Sequence, residues 1–186
     1  YRDINDDGVI DDNDRTIIGR GTPIHTGGFT NVFRYKDFDL SIFFQWSYGN
    51  DIINANKYMF ERYYMPNSNM FASYINRWTP ENPNSDIPRI NEGSGGYYST
   101  YGIEDGSYLR LKTVTLGYNM PKKIANKLYL QNVRIFVSGQ NLWTWTKYTG
   151  MDPEVSTRNN VLTPGFDFSA YPRARTFSIG LNMSLK

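Results

Sequence analysis

The chain has 186 residues, no Cys, and a formal net charge of +2 from 20 Lys and Arg against 18 Asp and Glu. That balance, without any basic run, excludes a nucleic-acid partner, and the missing thiols exclude disulfide scaffolds, thiolate metal sites and cysteine nucleophiles. No stretch of about 18 apolar residues occurs, so a transmembrane helix is excluded, whereas membrane strands leave only a weak hydropathy signal.

The chain opens on an acidic segment, Asp3-Ile4-Asn5-Asp6-Asp7-Gly8-Val9-Ile10-Asp11-Asp12-Asn13-Asp14, which fits the calcium-loop template D-x-[DN]-x-[DN]-G. Hard oxygen ligands would come from Asp3, Asn5, Asp7, the Val9 carbonyl and Asp14, with Asp11 acting directly or through water, and Gly8 allows the sharp turn. The match departs at its last position, where Asp14 replaces the longer bidentate Glu. No paired second loop follows, so a structural Ca2+ clip is expected rather than a sensor; the alternative is a solvated acidic turn.

Two strand-like runs come next, 28–35 and 38–48, separated only by Lys36 and Asp37, which is hairpin spacing. In the second run Phe38, Leu40, Ile42, Phe44, Trp46 and Tyr48 share one face, while Asp39, Ser41, Gln45 and Ser47 share the other with Phe43. A soluble sandwich also alternates, but its strands average about five or six residues, whereas this run is about eleven long with Trp and Tyr at one end.

From 49 to 106 the alternation gives way to a long segment rich in Asn, Tyr, Pro and Gly, with a short helix expected around 52–64. Loops of this length are uncommon in compact domains and usually functional. Strand patterns resume at 108–119 and at 133–145, joined by a short basic helix over 122–128. A second long loop, 147–172, leads to a final strand at 174–186, where Phe177, Ile179, Leu181, Met183 and Leu185 alternate with small or polar residues. Connections therefore alternate short and long, the asymmetry of an outer-membrane barrel with short periplasmic turns and long extracellular loops. Counting back from a periplasmic C-terminus, segments 1–25, 49–106 and 147–172 face outward. The whole reads as one architectural unit.

Aromatic residues make up 16% of the chain, which suits membrane girdles or sugar-binding surfaces. Trp46, Tyr48, Trp143 and Trp145 fall near the outer strand ends and read as membrane-interface anchors. Tyr58, Tyr63, Tyr64, Trp78, Tyr97 and Tyr98 lie in the outer loop, where they would contact substrate or partner, or simply pack the loop. Catalytic residues are not evident. His25 is the single histidine and reads as a plain loop residue, no nucleophile elbow or phosphate loop occurs, and the Glu residues are scattered, so no enzyme is expected.

Six strings resemble, in family order and over nearly the whole chain, the C-terminal part of the SusC/RagA family of TonB-dependent outer-membrane transporters. They are DINDDGVIDDNDRTIIG, TGGFTNVFRYKDFDLSIFFQWSYGNDI, NRWTPENPNSDIPR, DGSYLRLKTVTLGYNMP, VRIFVSGQNLWTWTKYTGMDPEV and YPRARTFSIGLNMSLK. The resemblance implies an all-β fold: an antiparallel transmembrane β-barrel of about 22 strands, of which this chain supplies about the last five, with long extracellular loops. It further implies import of glycans or peptides across the outer membrane of a Gram-negative, Bacteroidetes-like cell. Partners would be a SusD-like surface lipoprotein and the TonB complex, the latter through an N-terminal part with a plug that this chain lacks. Family members commonly end in an aromatic residue, whereas this sequence ends Leu185-Lys186. The competing reading is a secreted, soluble, calcium-stabilised β-sandwich that binds carbohydrate. A dockerin-like module is a third, resting on the acidic loop alone.

Overall fold

The computed structural model describes residues 2–61, 69–89, 98–157 and 162–185. In chain order the elements are β1 (His25–Tyr35), β2 (Phe38–Tyr48), β3 (Asp51–Asn54), α1 (Ala55–Phe60), β4 (Ile103–Asp105), β5 (Tyr108–Asn119), α2 (Lys122–Lys127), β6 (Leu130–Thr146), β7 (Phe166–Asp167) and β8 (Thr176–Leu185). Among the described residues no helix is long and apolar enough to cross a membrane, which says nothing of strands.

The chain divides into two compact units. The strand unit comprises residues 24–48, 107–147 and 172–186, and the loop unit 1–23, 49–106 and 148–171. The division follows from the long connections being more than links: they contain strands and a helix that pack among themselves.

The strand unit is a five-stranded antiparallel sheet in the order β1-β2-β5-β6-β8. β1 and β2 are joined by Lys36 and Asp37 alone, with Tyr35 opposite Phe38. Lys36 takes the left-handed φ of 53° that so tight a turn demands. β1 starts at His25, three residues earlier than expected, because Ile24 N–H bonds the Tyr48 carbonyl and draws the chain into the ladder. β6 likewise outruns its expected 133–145, and the final strand is shorter than 174–186.

The loop unit carries a three-stranded sheet, β4-β3-β7, antiparallel on one side of β3 and parallel on the other. The helix expected from residue 52 is corrected here. The β-branched pair Ile52-Ile53 belongs to β3, and the helix starts only at Ala55. Ile52 is fully buried, and with Ala55, Asn50, Asn54, Tyr148, Asp152 and Asp167 it forms the centre of this unit. In the strand unit the buried residues among those described are Gly117 and Gly139 and the side chains of Ser47, Tyr108, Arg110, Ala125 and Val133, so the sheet has no two-sided core.

Candidate functional site

Registers place one apolar set across all five strands. Phe29 lies opposite Phe44, Phe33 opposite Leu40, Leu40 opposite Leu116, Leu116 opposite Val137 and Val137 opposite Ile179, so all share a face. Ile42, Val114, Ile135 and Leu181 continue it. On β8 this face is open, with Ile179 81% exposed.

Two stacked bulges hold the set together. Between Leu111 and Thr113, β5 carries Lys112 as an extra residue relative to β2, and β6 carries Asn141 and Leu142 opposite that single position. Asn141 has a φ of 53°. Without the bulge, strict alternation would turn Leu109 and Leu111 away from the face that holds Val114, Leu116 and Tyr118. The signal was present in the sequence as a change of parity between Leu111 and Val114.

Both ends of this face are aromatic. At the end opposite the hairpin turn stand Trp46, Tyr48, Trp143 and Trp145; at the turn end stand Tyr35, Phe38 and Tyr118, a second group the sequence reading missed. Trp143 and Trp145 share the face as parity requires, with ring centroids 6.5 Å apart. Trp46 lies flat over Gly27, where a Cβ would come within 2.4 Å of the indole. Its N–H donates to His25 Nδ1 at 3.0 Å, and the His25 ring stacks on Tyr48 at 5.1 Å. His25 is thus a strand residue supporting the aromatic end rather than a loop residue.

The opposite face is mostly polar, although the registers also place Val32, Phe43 and Phe136 on it. Asp39 receives Arg134 at 2.6 Å and Asn119 at 2.9 Å, and Gly117 leaves the room, since a Cβ there would sit 2.7 Å from both Asp39 carboxylate oxygens. The hydroxyls of Thr115 and Ser138 lie 3.0 Å apart, and buried Arg110 donates to Thr144 at 2.9 Å. Phe43, the one bulky apolar residue of β2 on this side, lies against Gly28.

In the acidic segment the carboxylates hold the backbone. Asp3 accepts from the amides of Asp6 (2.7 Å) and Gly8 (2.8 Å), Asp7 from Val9 (2.8 Å), and Asp11 from Asn13 (2.7 Å). Asn5 donates its side-chain amide to Asp7 at 2.8 Å. Asp14 closes the loop by accepting from the Ile4 and Asp11 amides, at 2.7 and 2.9 Å, and these bonds, Ile4 first, hold its carboxyl below the usual range. Gly8 has the left-handed φ of 81° that the template asks of its glycine. Among the described residues no three acidic or histidine side chains converge as a metal site.

The loop aromatics take different places. Tyr58 donates to the Ser99 carbonyl at 2.6 Å and accepts from the Ser99 and Gly102 amides, while its ring meets Tyr98 and Tyr101 edge-on. Trp78 lines a cleft of about 350 Å³ with Ser85, Ile87, Pro88 and Arg89. Tyr98 is exposed beside Phe166. Tyr63, Tyr64 and Tyr97 lie outside the described residues.

Sequence reasoning missed the polar centre of the loop unit. Glu104 accepts from Lys57 (3.0 Å), Asn54 (3.0 Å) and both the amide and hydroxyl of Thr149 (2.7 and 2.9 Å). Burial opposes its charge, but these donors together outweigh it and hold the carboxyl below its ordinary range. Buried Tyr148 donates to Asp167, and burial, with that carboxylate, pushes the phenol pKa far up. Nothing local in sequence announces pairs separated by 19 to 50 residues.

The chain has relatives among known proteins. No protein-family model matches it. It is 43% identical over 98% of its length to TonB-dependent receptor P3 of Formosa agariphila, and 30% identical over 98% to TonB-dependent receptor SusC of Bacteroides thetaiotaomicron. Among solved structures, that of the RagAB peptide transporter superposes with a TM-score of 0.81, at 28% identity over 95% of this chain. The chain spans 18% of P3, 17% of SusC and 19% of the RagAB chain. This chain belongs to the SusC/RagA-type TonB-dependent receptors.

Proposed function

We propose that this chain forms part of the wall and outer loops of an outer-membrane receptor that imports nutrient oligomers with energy delivered by TonB. The observation that carries the reading is the apolar face continued across five strands and bounded by aromatic groups at both ends. β2 makes ten residue steps, roughly 33 Å, and at a tilt of about 40° it covers about 25 Å, the height of the apolar band of a membrane barrel. Trp46, Tyr48, Trp143 and Trp145 then anchor the outer interface, Tyr35, Phe38 and Tyr118 the inner one, and the polar face looks into the barrel. The acyl chains of the outer membrane are the partner of the first face.

Oligosaccharides are the proposed cargo, with Trp78 and Tyr98 presenting ring faces in the outer loop and Tyr58 bracing it. A second reading, import of peptides, is favoured by the likeness to the RagAB peptide transporter. In both, a SusD-like surface lipoprotein covers the outer loops. No catalytic step belongs to this function.

Calcium belongs to the proposal as a structural clip of the acidic segment, supported by the template match and by the turn at Gly8. Binding would draw Asp3, Asp7, Asp11 and Asp14 together in place of part of their amide bonds, because in the structure they do not converge.

The deciding experiment is fractionation of cells that carry the intact gene and its deletion. The receptor should be recovered from the outer membrane, with residues 147–172 accessible to antibody on intact cells, and deletion should abolish growth on one class of oligosaccharide or peptide. A soluble product would sink the reading and promote the secreted β-sandwich. For the clip, protease resistance of the acidic segment should rise with calcium and fall with chelator; indifference to both removes calcium.

A further inference from the structure

The strand unit carries twelve Lys and Arg against two Asp, whereas the loop unit carries eight against sixteen Asp and Glu. Both acids of the strand unit, Asp37 and Asp39, lie at the hairpin-turn end, and Asp39 is paired with Arg134. The other end of the sheet carries cations. Lys147 directly follows β6, Arg173 and Arg175 precede β8, and all three are exposed. The Arg175 guanidinium lies 5.8 Å from the centre of the Trp143 ring, and Trp143 is paired with Trp145. Asn141 donates its side-chain amide to the Ala174 carbonyl at 3.1 Å, which pins the stretch holding Arg173 and Arg175 alongside β6.

Going along the strands toward that end, the sequence of surfaces is aliphatic, then indole, then cation. This is the order of chemistry met on leaving a bilayer: acyl chain, interfacial sugar or glycerol, phosphate. A guanidinium held over an indole presents its N–H fork edge-on, the geometry that matches a phosphate. A free anion would meet only exposed cations, whose attraction water and salt screen. A ligand that carries phosphate and acyl chains in one molecule engages the cations and the apolar face together.

We infer that Trp143, Trp145, Lys147, Arg173 and Arg175 form a headgroup site for a phosphorylated glycolipid of the outer leaflet. The inference rests on the outer-membrane reading above and goes beyond it by naming the lipid chemistry and the residues.

The test uses the full-length receptor in phosphatidylcholine nanodiscs, titrated with bisphosphorylated lipid A. The variant Lys147→Gln/Arg173→Gln/Arg175→Gln should bind at least tenfold more weakly, and dephosphorylated lipid A should lose at least tenfold on the unaltered receptor. Lys122→Gln/Lys123→Gln/Lys127→Gln, at the opposite strand ends, should stay within twofold. The three single Gln variants repeat the reading where the triple one fails to fold: each should cost about threefold, and three unchanged affinities overturn the site. Equal binding of dephosphorylated lipid A overturns it too, as does full competition by millimolar inorganic phosphate, which would mark a free-anion site. Equal binding of phosphatidylglycerol would mark a general acidic-lipid surface and overturn the glycolipid assignment. Failure of the underlying reading shows separately and earlier, as a receptor absent from outer-membrane fractions.

Discussion

In the strand unit Ile179 is 81% exposed, while in the loop unit Ile52, with the same side chain, is wholly buried. Among the described residues of this unit the sheet leaves its apolar set without a second layer of its own, and it places the Asp39–Arg134–Asn119 cluster on the other face. The loop unit does the reverse, turning inward around Ile52, Ala55 and Tyr148 and satisfying buried Asp167 and half-buried Glu104 from within. Their charge differs as well, basic in the sheet and acidic in the loops. The two units differ in how they are completed: one closes around its own core, and on the proposed function the other is completed by lipid.

That contrast breaks most sharply on β2. Lysine at Ile42 or Phe44 should destabilise the assembled receptor by roughly 2 to 4 kcal/mol near mid-membrane, whereas lysine at neighbouring Ser41 should be tolerated. Outer-membrane abundance of the folded receptor is the measurement, and equal abundance of all three variants would erase the distinction between the faces.

A change inside the loop unit should act locally. Tyr148→Phe leaves the buried Asp167 carboxylate short of a donor, at a cost of about 1 to 3 kcal/mol, and should speed proteolysis within 148–171 without altering membrane insertion. Asp39→Asn removes the charge facing Arg134, a partly exposed pair, and should cost about 1 kcal/mol, read from urea unfolding of the folded receptor.

The smallest effect concerns acid. The carboxyl of Asp14 titrates lower in the folded loop than in the unfolded chain, so its bonds to Ile4 and Asp11 stabilise the loop above the ordinary aspartate pKa. That contribution is lost as pH falls through the folded value. Proteolytic nicking of residues 2–14 should therefore be unchanged from neutrality to about pH 5 and rise below about pH 4. An unchanged rate down to pH 3 would show that Asp14 does not hold the loop.

The sheet was legible because alternation is a local property. Phe38 to Tyr48 and Phe177 to Leu185 announce their faces residue by residue, and the Lys36-Asp37 gap announces the turn. The loop unit was not, because its order depends on partners far apart in the chain: β7 is two residues long, and it pairs with β3 more than a hundred positions away. The expected helix also began too early at Ile52-Ile53, a β-branched pair that β4 and β7 hold in strand, so that helix starts only at Ala55. At the candidate site, the four aromatics opposite the hairpin turn could be placed from strand ends, but His25 beneath Trp46 could not, since a cross-strand bond is invisible until the register is known.

The bulge at Lys112 gives β5 something like a reading frame. Residues on its two sides are read in different phases, and Lys112 absorbs the shift. Deleting Lys112 would merge the phases and leave Leu109, Leu111, Val114, Leu116 and Tyr118 all on the face they occupy now. Deleting Thr115, three positions on, would make Val114 and Leu116 adjacent and drive one of them off that face. Of two losses of one residue from the same strand, the first should yield a folded, heat-modifiable receptor and the second should not.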